Sequence, residues 1–292
     1  MLTIARLTFK EALRKKILVA AIILSVLFLT VYGVGLHYAT NTIEQQSAQG
    51  IGRGMNDGSF AGADVIVESS KKLLVLLGLY FSSSIVSLLA ILSSVGVVSS
   101  EIENGIIHAM MAKPIRRRDI ILGKFGGYAA MLSVYSALLF LSVLLLNYFI
   151  AGAALGNVPL LIALFIIQPL VFLAVTLAGS TAFSTLANGI AAFTLYIASA
   201  VGGMIEQIGA MLNNDMLVNT GIVTSLLMPA DAIYRMIASL VTNVPGGSIN
   251  AMFFGPFGAI SAPSAAMVVY AILYLVGFVG LASFLFSRKD IG

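Results

Sequence analysis

The chain has 292 residues, of which 59% are hydrophobic and 10% charged; a soluble domain carries about 25% charged residues, so most of this surface must be solvated by lipid. The net charge of +4 is too small to argue for nucleic acid, and the absence of cysteine excludes disulfides and thiolate metal ligands. The absence of cysteine fits the inner (plasma) membrane of a prokaryote.

In chain order, residues 1–16 come first. Arg6, Lys10 and Arg14 are spaced by four, while Leu2, Ala5, Phe9, Ala12 and Leu13 lie off that row. The pattern predicts a helix along the inner leaflet with its cations among headgroups; bare topology signals are the alternative. The apolar run 17–38 reaches the roughly 20 residues a bilayer needs. A cleavable signal has a shorter apolar region and a small-x-small exit, whereas this run is long enough to span, so it reads as a retained first span. Residues 39–72, with QGIGRGMNDGSFAGAD, read as an extracytoplasmic loop, and 73–98 as the second span.

Residues 99–124 are charged but patterned. After Ser99, Ser100, Glu101 and Glu103, the apolar Ile102, Ile106, Ile107, Met110 and Met111 recur at helical offsets. They predict a helix running on past the second span until Lys113-Pro114 stops it, since the residue before proline is pushed out of helical space. Arg116, Arg117 and Arg118 follow, Asp119 caps the next helix, and Gly123-Lys124 leads into a third span at 125–150. Such an apolar stripe either lies on lipid or enters a groove on another protein; periodicity does not choose.

The fourth span, 160–186, holds Pro169 and should kink there; the fifth is 189–204, with Ser184, Thr185, Asn188 and Gly189 marking the turn between them. Residues 205–263 form a second extracytoplasmic region. In PADAIYRMIASLV, Pro229 suits a helix start, Asp231 and Arg235 are four apart, and Ile233, Met236, Ile237 and Leu240 make a stripe. This predicts short helices in, or dipping into, the outer leaflet. The sixth span is 265–286. The fold class is all-α integral membrane with six transmembrane helices.

Lys and Arg set the orientation. One side collects Arg6, Lys10, Arg14, Lys15, Lys16, Lys113, Arg116, Arg117, Arg118, Lys124, Arg288 and Lys289; the other has Arg53, Lys71, Lys72 and Arg235. The basic side is therefore cytoplasmic and holds both termini.

None of the six predicted spans contains a charge, which argues against a proton path of its own. Ser82, Ser83, Ser84 and Ser87 in the second span and Thr194, Tyr196 and Ser199 in the fifth are neutral. They serve helix packing or a weakly polar path, and both readings stay open. His37 and His108 stand alone, so no metal ligand is assigned. Met204, Met211, Met216, Met228, Met236 and Met252 supply thioethers that suit Cu(I), but methionine is equally a filler of apolar gaps. Gly123-Lys124 is not a phosphate loop, because Arg118 stands where its first glycine should be and Phe125 follows. No catalytic constellation is present, so the chain reads as a non-enzyme.

The pattern Glu101-x-x-x-Gly105, then Lys113-Pro114, Arg117 and Leu122-Gly123-Lys124 resembles the segment between spans two and three of type-2 ABC transporter permeases. ARLTFKEALRKK resembles that family's elbow helix, FSTLANGIAAF its tight turn from span four to span five, and FSRKDI its usual ending. The resemblance implies one permease domain over 1–292, with an elbow at 1–16 and a coupling helix within 99–124. It implies a cytoplasmic ABC ATPase partner contacted through Glu101, Ile102, Gly105, Ile106, Met110, Pro114, Arg117, Gly123 and Lys124, and a second permease chain, a copy or a relative. Substrate would pass along the paired spans two and five, near Ser83, Ser87, Thr194, Tyr196 and Ser199. ATP and Mg would bind the partner, with no cofactor on this chain. Ile106 departs from the Thr common after the glycine, which removes one hydrogen bond from that picture. The expected function is ATP-driven movement of a lipophilic or amphipathic substrate outward. The alternatives are mechanical transmission to an extracytoplasmic partner, as in copper-enzyme maturation systems such as that of nitrous oxide reductase, or a passive scaffold or channel.

Overall fold

A helix with no polar face belongs in the interior of a bundle, and the stretch VPLLIALFIIQPLVFLAVTLAGSTA is one. The computed structural model, which describes residues 2–54, 60–105, 116–153, 155–242, 258–259 and 263–288, places it at the centre. In chain order the helices are α1 (Leu2–Arg14), α2 (Lys16–Gly54), α3 (Phe60–Ser94), α4 (Ser99–Glu103) and α5 (Arg117–Leu146), the last ending in a π-helical turn at Asn147–Ala151. Then come α6 (Val158–Ala182), α7 (Thr185–Met211), α8 (Asp215–Leu227), α9 (Ala230–Thr242) and α10 (Ala265–Arg288). The described residues hold no strand. Among the described residues six stretches are long and apolar enough to cross a bilayer: Lys16–Ile43, Val67–Glu103, Arg117–Ala151, Val158–Ala182, Thr185–Met211 and Ala265–Arg288. The all-α, six-span class expected from the sequence is the observed one.

Helices α3, α5, α7, α9 and α10 surround α6, whose Val171, Leu173, Ala174 and Leu177 are fully buried. Helix α2 sits outermost, with Ile23, Leu27, Val31 and Val34 exposed along its outer face. Lipid tails are as apolar as leucine, so close helix contact there depends on small residues and interhelical hydrogen bonds. Where α2 crosses α3, a Cβ on Gly78 would lie 2.5 Å from the Tyr32 ring. Tyr32 donates to the Leu74 carbonyl at 2.7 Å and accepts from Asn147 Nδ2 at 2.9 Å.

Three local expectations are corrected. The stretch 39–72 is not a loop throughout: α2 runs 39 residues to Gly54 and α3 starts at Phe60. At 1.5 Å per residue α2 is about 58 Å long, nearly twice the roughly 30 Å hydrocarbon core. Its polar part is held by hydroxyls folding back on the helix, Thr40 on Leu36 O at 2.9 Å and Thr42 on Tyr38 O at 2.8 Å. The turn between spans four and five is only Phe183 and Ser184, both extended, so Asn188 and Gly189 lie inside α7.

The helix expected to run on from the second span stops at Glu103. Asn104 caps it and Gly105 adopts φ +69°, the left-handed geometry that glycine accepts at no steric cost. Ile106, Ile107, Met110 and Met111 of the expected stripe lie outside the described residues. Of the two forms expected for 205–263, helices on a surface or dipping inward, α9 takes the second. Ile233 and Ile237 face the core as their spacing requires, but Ala232, Tyr234, Arg235 and Ala238 behind them are buried too. Helices α8 and α9 are bent by 115° at their junction, the shape of a broken span or a re-entrant loop, and α9 packs against α6, α3 and α10.

Candidate functional site

At the end of the bundle where the basic residues gather, α1 lies across α5. Gly123 and Gly127, four apart on α5, make the crossing possible. A Cβ on Gly123 would lie 2.7 Å from the Ile4 side chain, and one on Gly127 2.7 Å from Thr8 Cβ and 2.8 Å from the Ala5 carbonyl. This is small-x-x-x-small packing of the kind that lets helix backbones touch in lipid. Beyond the crossing, Lys15 donates to the Tyr128 hydroxyl and, at 3.4 Å, to the Ser93 carbonyl. Burial lowers the pKa of Lys15 below the ordinary lysine range, and the Glu11 carboxylate opposes that shift.

Span two breaks here, between Ser94 and Ser99. A broken helix leaves carbonyls that need donors. Three are taken by side chains from three other segments. Lys15 reaches Ser93 O, Asn188 of α7 reaches Val95 O at 2.7 Å, and Lys124 of α5 reaches Val97 O at 3.0 Å. Asn188 also donates to Thr176 O of α6 at 2.9 Å, and Gly179 leaves room for its amide.

The short α4 beyond the break is tied on two sides. Glu101 forms an ion pair with Lys124, both largely buried. On the other side, the Ser99 and Thr185 hydroxyls lie 2.8 Å apart, and Glu103 accepts from the Thr185 amide at 3.4 Å. One five-residue helix therefore joins α5 to the start of α7. Directly beside it, α3 and α7 enclose an open groove of about 780 Å³, lined by Leu88, Ile91, Leu92, Val95, Leu186, Ile190 and Phe193, with Glu103 and Thr185 at one end.

Deeper in the bundle lies a polar cluster. Glu206 on α7 pairs with Arg235 at 2.5 Å, Arg235 Nε donates to Asp231 at 3.0 Å, and Arg235 NH2 donates to Ser225 at 2.9 Å. A cavity of about 30 Å³ adjoins it, between Tyr80, Ser83, Gln168, Ser199, Asp231 and Tyr234 among others.

Across residues 2–291 the chain matches the family model of the ABC-2 family transporter protein. The chain belongs to the ABC-2 transporter family. No curated protein gives a match.

Within this ABC-2 chain the sequence-predicted residues divide. Glu101 and Lys124 meet in the ion pair, and Ile102 packs on the core. Arg117 reaches Ser287 O of α10 at 3.4 Å. Gly105 is the helix stop, and Gly123 belongs to the α1 crossing. Ile106, Met110 and Pro114, like His108 and Met252, lie outside the described residues. Of the predicted path, Ser83, Tyr196 and Ser199 line the small polar cavity, and Thr194 lines the large groove. Ser87 is buried with an unpartnered hydroxyl and lines neither.

The expectation that no span holds a charge is overturned. The fifth span continues to Met211 rather than 204, and Glu206 is buried within it. Its partner Arg235 comes from α9, 29 positions on, which hydropathy along one segment does not register. Sequence reasoning also missed Gln168, whose signal was a lone amide in an apolar run, and took Asn188 for a turn marker. Met228 is buried while Met216 is exposed, and His37 is an exposed partner of Asn41.

Proposed function

We propose that this ABC-2 chain is the permease subunit of an ABC transporter, moving a lipophilic or amphipathic substrate outward with ATP hydrolysed by separate cytoplasmic subunits. The observation that carries this reading is the double attachment of α4. The segment 106–115 that follows it is where the family resemblance puts the ATPase contact. Force applied there would reach α4, and from α4 both α5 through Lys124 and the foot of α7 through Thr185. The groove between α3 and α7 would then open or close. Its volume falls in the range of small-molecule sites, and its walls are apolar. A second permease chain would complete it on the open side, with the basic end in the cytoplasm.

The test is purification of the tagged chain in mild detergent with candidate ATPases co-expressed. The expected result is a stoichiometric ATPase with vanadate-sensitive turnover, lost on Ile106→Asp with Met110→Asp while the permease stays helical by circular dichroism. An undiminished complex from that double variant overturns the coupling assignment.

A second reading has its own support. The part of α2 beyond the bilayer length makes a long helical projection of the kind that suits an extracytoplasmic partner driven mechanically. Deleting residues 44–66 separates the two: the transport reading expects substrate movement to survive, the mechanical one expects ATP turnover without work on the partner.

A further inference from the structure

Away from the basic end of the bundle lysine and arginine are scarce: Arg53, Lys71, Lys72 and Arg235. Arg235 is buried in its acid cluster, but Lys71 and Lys72 are neighbours in the chain and line one pocket. This pocket, of about 330 Å³, lies between α3 and the chain that leaves the π-helical turn at Asn147–Ala151. Val75, Ala153 and Leu155 give it apolar walls. A water molecule takes about 30 Å³, so the space holds something much larger. Its base is fixed by hydrogen bonds between three segments. Tyr32 of α2 joins the Leu74 carbonyl to the Asn147 side chain, and Ala153 N donates to Asn147 O at 3.3 Å.

Charge and depth together say what fits. Lys72 is matched by Glu68 at 2.8 Å, while Lys71, half-buried in the same pocket, makes no ion pair among the described residues. Two ammonium groups face one carboxylate there, which leaves room for an anion. From Lys72 to the break at Ser94, α3 runs about 33 Å at 1.5 Å per residue, slightly more than the roughly 30 Å hydrocarbon core. With the break at one face of the core, the two lysines lie in the headgroup layer at the other. Tyr148 and Phe149, on the turn that leads to Gly152, are 55% and 78% exposed. Aromatic side chains gather at that same level. The anion available in a headgroup layer is a phospholipid phosphate, and its glycerol and first methylenes suit the apolar walls.

We propose that this pocket binds one anionic phospholipid, with its phosphate on Lys71 and Lys72 and its glycerol end against Val75, Ala153 and Leu155. A zwitterionic lipid fits less well, because its choline cancels the charge that Lys71 seeks. The bound lipid ties α3 to the chain that follows α5 at the end of the bundle farthest from Lys124. Nothing in this depends on what the transporter carries or on its ATPase partner.

Native mass spectrometry of the delipidated full-length chain in detergent tests it, with phosphatidylglycerol or phosphatidylcholine of equal chain length added. The basic row of α1 can also hold anionic lipid, so the readout is the phosphatidylglycerol that a pocket variant loses relative to wild type. Lys71→Gln should weaken one phosphatidylglycerol site by about fivefold or more. Ala153→Phe, which fills the pocket and keeps its charges, should remove the same site. Phosphatidylcholine adducts should not change in either variant, and inorganic phosphate should not displace the lipid. Full phosphatidylglycerol binding by either variant, folded by circular dichroism, overturns the proposal. Displacement by inorganic phosphate overturns it too, since the site would then take a free anion. An equal loss of phosphatidylcholine in Lys71→Gln overturns the preference for an anionic lipid. Lys71→Gln decides even where Ala153→Phe fails to fold, because Lys71 pairs with no acid among the described residues.

Discussion

Arg235 and Lys72 carry the same charge and each pairs with an acid four residues away, yet burial separates their worth. Lys72 meets Glu68 at 2.8 Å, with the acid side chain 65% exposed; such pairs contribute about 0–1 kcal/mol. Arg235 is 4% exposed and holds two carboxylates. Arg235→Ala leaves both acids buried without their cation, and removing one partner of a buried pair costs about 3–5 kcal/mol. Arg235→Lys is expected to recover only part, because an ammonium lacks the planar fork that reaches Asp231, Glu206 and Ser225 together. Urea unfolding in detergent, followed by circular dichroism, should show a large loss for Arg235→Ala and almost none for Lys72→Ala. From sequence, the Asp231–Arg235 spacing was legible. Glu206 was not, because its partner lies in another element.

Between elements, the crossing of α1 on α5 makes a sharper test. A Cβ built on Gly126 lies 3.8 Å from Ala5 Cβ, which is the mean Cβ separation in a disulfide. The chain has no cysteine to interfere. Ala5→Cys with Gly126→Cys should therefore form an intrachain disulfide on mild oxidation, seen as a gel-mobility shift reversed by reductant. Adding Gly127→Leu should prevent it, because the new side chain occupies the space of Thr8 and the Ala5 carbonyl. A disulfide that forms equally well with the leucine present would contradict the crossing geometry. The basic row of α1 was readable from its four-residue spacing. The docking of α1 on α5 was not, since Gly123 and Gly127 become meaningful only once their opposite helix is known.

For the whole molecule, the open groove between α3 and α7 leaves Leu186, Ile190, Phe193 and Ile197 uncovered. Lipid can cover such a face, but the proposed second chain makes a specific forecast. Residues near a two-fold axis meet their own copies. Phe193→Cys alone should give an oxidised dimer in membranes, while Val134→Cys, 55% exposed on α5, should not. Equal yields from both would reduce the result to random collision and count against pairing through α7.

The sequence by itself determined the class of the protein: hydropathy over six runs, basic residues gathered on one side, and short motifs in family order. These properties are local, each written within about 20 residues, the length that crosses a bilayer. The tertiary structure alone decided which polar groups meet. Glu101 with Lys124, Asn188 with the broken end of span two, and Glu206 with Arg235 are pairs between different segments. A buried polar group in a membrane protein is tolerable only through its partner. That partner is fixed by the packing of helices in space, and the periodicity of a single helix carries no record of it.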